Sequence, residues 1–396
     1  MASSPSSSPL WTLQQQNTIA LLLSIATFLS FIASSTGCPY TSIFSFGDSL
    51  ADTGNLFFIS QPPHLHHCCR PPYGETYFGH PTGRCSDGRL IIDFIAESLS
   101  IPLVKPYLGV TNGQISNRTK EEGVNFAVAG ATALDLSFFE ERGIYGVIGT
   151  NDSLSVQLGW FKELLPSICS SYSSCKEVLE KSLFLVGEIG GNDFNGPFAL
   201  RRSFAEIKTY VPHVIDAISS TISDLIDLGA QTLVVPGNFP IGCSAFYLTL
   251  YESKHKNDYD EAGCLVWLNR FAEYYNQRLQ AELNQLQELH PHANIIYADY
   301  YNAALPLYQS PKKFGFMGLK ACCGGGGVYN YNASNACGGE GVNCCDDPAK
   351  YINWDGVHFT ESAYKLIARY LLKGSYTGPY KFGDLCLKNN KAYESF

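Results

Sequence analysis

From residue 40 onward, short and nearly unbroken apolar runs alternate with longer stretches in which apolar residues recur every three or four positions. The short β-branched and aromatic runs read as strands covered on both faces, and the longer pattern reads as amphipathic helix. Five runs fit a strand: residues 42–46, 124–128, 183–186, 232–235 and 294–297. Helical stripes separate them. Residues 87–99 align Ile91, Phe94, Ile95 and Leu99, residues 203–228 and 261–289 are long and periodic, and residues 360–372 bring Ala363, Leu366, Ile367, Tyr370 and Leu371 to one face. Strands alternating with helices predict an α/β fold, a three-layer α/β/α sandwich around a mostly parallel five-stranded sheet.

Two segments break the pattern. Residues 19–33 form an apolar run of 15 residues interrupted only by Ser and Thr, too short at ~1.5 Å per residue to span a ~30 Å hydrocarbon core. With Ser34, Ser35, Thr36 and Gly37 behind it, the run reads as a signal peptide over residues 1–37, leaving 38–396 as one domain with no stable membrane span. The absence of Lys and Arg before residue 38 leaves an uncleaved signal anchor as the alternative. Residues 312–347 carry Gly324 to Gly327 and the doublets Cys322-Cys323 and Cys344-Cys345 with little periodicity, and read as a disulfide-stapled loop. No Gly-Lys-Ser/Thr follows those glycines, which sets aside a phosphate cradle.

Composition narrows the function. With 45% apolar and only 16% charged residues among 396, the chain has material for a large core. Its 27 basic against 36 acidic residues, without a basic run, argue against a nucleic-acid partner. Fourteen cysteines, all beyond residue 37, fit an oxidising secretory route that ends outside the cell or in the vacuole. Sequons at Asn117, Asn151 and Asn332 agree with that route. Cys169 and Cys175 are the easiest pair to imagine, while spacing leaves the connectivity open.

In open α/β sheets ligands gather at the carboxyl ends of the strands, so the residues that follow each strand deserve attention. After the first comes Gly47-Asp48-Ser49-Leu50, a glycine turn that presents a serine. After the second comes Ala129-Gly130-Ala131, whose glycine can aim a backbone N–H at an anion, and after the third Gly190-Gly191-Asn192-Asp193 offers a carboxamide. Asp355 stands three residues before His358, ahead of the last helix. A serine hydroxyl needs an adjacent base, the base needs a group that fixes its tautomer, and the developing oxyanion needs fixed donors. Ser49, His358 and Asp355 can fill the first three roles, and the amides of Ser49 and Gly130 with the Asn192 side chain can fill the last.

These four blocks, in this order, resemble those of the GDSL (SGNH-hydrolase) esterases and lipases. Pro72-Tyr73-Gly74-Glu75-Thr76, the run from Gly83 to Arg89, and Asn125-Phe126-Ala127 resemble its plant branch, and the block from Cys38-Pro39-Tyr40 through Gly54-Asn55 with the Cys-rich 312–347 loop resembles most the subgroup containing acetylajmalan esterase and sinapine esterase. The resemblance spans residues 40–375. It implies Ser49 as nucleophile, His358 as base, Asp355 as its orienter, Gly130 and Asn192 as oxyanion donors with the Ser49 amide, and no metal or organic cofactor. The implied activity is hydrolysis of a carboxylic ester, a short acyl or aryl ester of a plant specialised metabolite, through an acyl-serine intermediate. An acyltransferase using the same acyl-enzyme, and a catalytically silent secreted binding protein, are the alternatives. Oligomeric state stays open.

Other motifs have blander readings. Asp52-Thr53-Gly54 is an aspartic-protease tripeptide without a second copy, and the Gly-x-Ser-x-Gly elbow of α/β-hydrolases is absent. His64, His66 and His67 beside Cys68 and Cys69 suggest a metal site, but disulfides compete for the thiols in an oxidising compartment. Asp193 reads as a cap or turn former, and Arg84, Asp87 and Arg89 as an ion-pair network at a helix start.

Overall fold

The computed structural model describes residues 40–60, 65–115 and 122–379; the signal segment, Cys38, His64, Asn117 and Cys386 lie outside the described residues. Its centre is a seven-stranded sheet. In chain order the strands are β1 (Ser42–Phe46), β2 (Lys105–Pro106), β3 (Val124–Asn125), β4 (Ser182–Val186), β5 (Thr232–Pro236), β6 (Asn294–Ala298) and β7 (Thr377–Gly378), arranged as β2-β3-β1-β4-β5-β6-β7. All neighbours are parallel except β7, which runs antiparallel to β6.

Period-two alternation sorts the strand side chains between two cores. Phe44 and Phe46 of β1, Phe184 and Val186 of β4, and Leu233 and Val235 of β5 face one side. There they meet helices α2 (Leu154–Ile168), α4 (Val211–Leu228) and α5 (Val266–Leu289). Ile43, Leu183, Leu185, Val234 and Ile296 face the other, against α1 (Ile91–Ser98), the helix Tyr300–Gln309 and α6 (Glu361–Leu372). The result is the three-layer sandwich. Each fully buried Leu, Ile or Phe contributes ~1.5–3 kcal/mol, so the strands are held mainly by these two faces.

Differences from the sequence-based boundaries have local causes. The second predicted strand contracts from residues 124–128 to Val124–Asn125, because Asn125 Oδ1 takes the Ala127 amide at 2.8 Å and withdraws it from the ladder. Residues 203–228 divide into Phe204–Lys208 and α4, where Pro212, lacking an N–H, suits the second position of a new helix. Helix α1 starts only at Ile91, where Asp93 Oδ2 accepts the Leu90 amide at 2.9 Å. Strands β2 and β7, of two residues each, are too short for any periodicity to announce.

The amino-terminal ends of three connections carry one part of the site, and the loop before α6, with Asp355 and His358, carries the other. The three connections are the turn after β1, the loop after β3, and helix α3 (Asn192–Ala199) after β4. A third apolar cluster underlies them, containing Tyr73, Trp354 and the half-cystines of residues 322–345. Residues 315–347 hold neither strand nor helix and are closed by Cys322–Cys345 and Cys323–Cys337. Further disulfides join Cys68–Cys85, Cys169–Cys175 and Cys243–Cys264, whereas Cys69 and Cys344 are thiols.

Candidate active site

The turn after β1 depends on Gly47, whose φ of 139° lies where a side chain is strained and where a Cβ would stand 2.8 Å from the Glu188 carbonyl oxygen. Gln157 on α2 clamps this glycine from both sides: the Gly47 amide donates to Oε1 and Nε2 donates to the Gly47 carbonyl, each at 2.9 Å. The Asp48 amide bonds the Glu188 carbonyl at 2.9 Å. The next residue, Ser49, is thereby held at the sheet rim, only 9% exposed.

Ser49 Oγ lies 2.8 Å from Nε2 of His358. Nδ1 of the same ring lies 2.8 Å from Oδ2 of Asp355, whose Oδ1 accepts the amides of Val357 and His358 at 2.8 Å each. Tyr73 adds a fourth donor, its hydroxyl meeting Asp355 Oδ2 at 2.8 Å. Burial alone would push the Asp355 carboxyl up, but the His358 charge and hydrogen bond outweigh it and hold the group far below the usual carboxylate range. For His358, burial opposes the charged ring, yet the Asp355 charge raises its pKa above the ordinary 6.5. A carboxylate fixed in this way holds the proton on Nδ1 and leaves Nε2 free to accept one from Ser49.

The loop after β3 is tied to the turn after β1 by polar side chains. Asp52 accepts the amides of Gly54, Asn55, Leu56 and Ala129 at 2.6–3.0 Å. Asn55 Nδ2 donates to the carbonyls of Asn125 and Ala127, at 2.8 Å each. Asp52 is therefore a backbone staple, which accounts for the Asp-Thr-Gly tripeptide without any protease chemistry. Asp193 goes beyond a local cap: its two oxygens accept the amides of Ala133 and Leu134 at 2.9 and 3.0 Å and fasten the Gly130 loop to α3.

Among the described residues, neither the Ser49 amide nor the Gly130 amide donates to a protein acceptor. Gly130 takes a φ of 86° and packs 3.1 Å, measured from an added Cβ, against Gly149 Cα. Asn192 Nδ2 donates to the Ala131 carbonyl at 3.0 Å and to Asp48 Oδ2 at 3.2 Å. Ser49, Gly130, Asn192 and His358 line one open cleft, shared with His66, His67 and Tyr331. Two free amides and a carboxamide beside a hydroxyl–imidazole–carboxylate chain suit stabilisation of a tetrahedral oxyanion.

The amino-acid comparisons agree with this geometry. A family model described as GDSL-like Lipase/Acylhydrolase matches residues 43–371. The chain belongs to the GDSL family. A GDSL esterase/lipase of Arabidopsis thaliana is 57% identical over 359 residues, 89% of this chain and 88% of that protein. A second from the same plant is 56% identical over 364 residues, 91% and 93% of the two chains. Sinapine esterase of Brassica napus is 53% identical over 352 residues, 88% and 89%. The GDSL chain described here is thus a carboxylic ester hydrolase of the plant branch, with small-molecule esters as its class of substrate. Its disulfides fit a secretory protein, and no helix among the described residues is long and apolar enough to cross a membrane.

The remaining sequence candidates in this GDSL enzyme have structural partners. Arg84 pairs with Asp93 through two bonds of 2.7 and 2.8 Å, and Arg89 bridges Glu97 and Glu361, each at 2.7 Å. Asp87 bonds Thr76 and the Glu361 amide rather than an arginine. Cys68, next to His66 and His67, is consumed in its bond to Cys85, so the cluster His66, Cys68 and Cys85 offers one imidazole and no thiolate. Burial pushes His66 down to about 3 and His67 to about 4, so both rings are neutral walls of the cleft. Tyr73, Gln157 and Asp52 carry no sequence sign of their support for the site: Tyr73 stands in the Pro72–Thr76 stretch and Asp52 in the Asp-Thr-Gly tripeptide, both notable on other grounds, and Gln157 is a lone polar residue in a largely apolar run.

Proposed function

We propose that this chain is a secreted serine esterase, one domain over residues 38–396, that hydrolyses an ester of a plant specialised metabolite through an acyl-Ser49 intermediate. The observation that carries the reading is the unbroken chain from Asp355 through His358 to Ser49, beside the two unpartnered amides. Ser49 Oγ attacks the carbonyl carbon while its proton passes to His358 Nε2. The negative oxygen is met by the amides of Ser49 and Gly130 and by Asn192, which gives up its 3.2 Å bond to Asp48. When the tetrahedral species collapses, His358 returns the proton to the departing alcohol, and the acyl group stays on Ser49. Water then repeats the sequence with His358 as base, releasing the acid. No step needs a metal or organic cofactor.

A short acyl or aryl ester is the favoured substrate, supported by the 53% identity to a sinapine esterase. Export to the cell exterior or the vacuole is supported by the five disulfides among the described residues and by the exposed side chains of Asn151 and Asn332, the two described sequons. The test is turnover of a chromogenic short-chain ester by wild type and Ser49→Ala, with intact mass recorded after a serine-directed organophosphonate. Turnover and a single adduct in the wild type, both absent from Ser49→Ala, are expected. A folded wild type with neither would instead favour a binding protein.

A further inference from the structure

Ser49 stands at the junction of two spaces. One is the open cleft that also contains His358, Gly130, His66 and His67. The other is a narrow chamber walled by Phe239, Phe246, Tyr247, Tyr308 and Phe359, which His358 does not line. In the proposed reaction the leaving alcohol must receive its proton from His358 Nε2, so the alcohol half of the ester occupies the open cleft. The acyl half is then directed into the aromatic chamber. Flat rings on several sides favour a planar apolar group there.

The lining of that chamber also holds a carboxyl group with no assigned work. Glu188 follows β4 by two residues, lines the chamber with Leu50, and with the same Leu50 lines a second, apolar space bounded by Ile92, Ile95, Val234 and Leu371. It is 6% exposed, and its Oε2 is buried without a hydrogen-bond partner. Leaving such a group unpaired is costly, and the surroundings explain neither its presence nor its persistence. Burial, reinforced by the neighbouring Asp48 charge, pushes its pKa well above the usual carboxylate range. Held neutral, a carboxylic acid is a hydrogen-bond donor rather than the counter-ion of a cation.

We propose that Glu188 is a specificity-determining residue whose carboxyl group donates a hydrogen bond to an oxygen acceptor on a planar acyl group seated in the aromatic chamber. This rests on the serine-esterase reading above, because the direction of the acyl half follows from the role of His358. It assigns the substrate class as oxygen-substituted aryl esters rather than unsubstituted or cationic ones. A polar group built to meet a substrate oxygen discriminates strongly against an analogue that lacks it, since the buried carboxyl is then left unpaired.

The experiment uses the full secreted protein and pairs of aryl esters of one chromogenic alcohol. Each pair differs only in a ring hydroxyl, at one of the ring positions in turn, against a methyl group, and a third ester carries a ring trimethylammonium. Wild type is expected to favour the hydroxyl ester of one pair by about 10-fold or more in kcat/KM. Glu188→Gln, which still donates, should keep most of that preference, and Glu188→Met should bring the ratio near unity. The organophosphonate adduct on Ser49 reports in each variant whether the site is assembled. A second measurement needs no variant: arylboronic acids with and without that ring hydroxyl should inhibit wild type with the same preference. Equal ratios in wild type and Glu188→Met, no preference in wild type, or preference for the cationic ester would each overturn the assignment while leaving the serine mechanism intact. Absence of turnover and adduct in the wild type would overturn the mechanism itself.

Discussion

Replacing Asp355 by Asn tests the proposed chain of proton transfers at the group that orients the base. The two oxygens of Asp355 are not equivalent. Oδ1 accepts two backbone amides, from Val357 and His358, and Oδ2 faces His358 Nδ1 and the Tyr73 hydroxyl. An Asn side chain must keep its oxygen on the two amides, because the opposite orientation would set its NH₂ against two N–H groups. Its nitrogen therefore faces His358 and donates to Nδ1. The ring is driven to the tautomer with its proton on Nε2, pointed at Ser49 Oγ 2.8 Å away, where it can no longer accept one. The geometry survives while the base is lost. We expect kcat to fall on the order of 10⁴-fold, about 5 kcal/mol of barrier, with the residual rate due to binding and the oxyanion donors. The assay is kcat on a chromogenic ester across pH, with thermal unfolding to show that the fold persists. An Asn variant within tenfold of wild type, with an unchanged acid limb, would refute the tautomer argument.

Other expectations follow from the same contacts. Because the Asp355 charge raises the His358 pKa, protonation of the base, and with it the acid limb of kcat/KM, should lie above pH 6.5; a pH profile with a lower midpoint contradicts the pairing. Asn192→Ala should reduce kcat about 10²–10³-fold with little change in KM, and a loss no greater than that of an exposed Asn would remove it from the oxyanion site. Asp193→Ala leaves the Ala133 and Leu134 amides without their acceptors, so a urea titration should show a loss of roughly 1–3 kcal/mol per orphaned amide, with a parallel fall in kcat as the Gly130 loop loosens.

The four five-residue strands were legible because each places buried residues on both faces, and the candidate site was legible because glycine turns at strand ends present unusual polar residues. Helix α2 escaped notice, since Pro166 and the scattered polar residues of its second half blur the stripe that Leu154, Leu158 and Phe161 form. The supports of the site escaped for a different reason. Tyr73 meets Asp355 across 282 residues and Gln157 meets Gly47 across 110, so no local pattern relates them. Asp52 and Asp193, read singly, are indistinguishable from ordinary turn formers, and only the folded chain shows which distant amides they hold. Glu188 was equally silent. A lone carboxylate after a strand carries no sequence sign that it will be buried.

The cysteine-rich segment bears on when the enzyme becomes active. The amides of Cys322 and Cys323 bond the carbonyls of Asn353 and Trp354, and the Trp354 amide bonds the His358 carbonyl, at 2.8–2.9 Å. Cys345 bonds back to Cys322 both through its amide and through sulfur. The turn bearing Asp355 and His358 is thus moored to a segment that owes its shape to two oxidised pairs, whereas the sheet and Ser49 are not. Without those two pairs the sheet and Ser49 keep their own supports, while the base loses the segment that holds it against its nucleophile. Oxidation of those thiols is thus part of assembling the catalyst and not only of stabilising the fold.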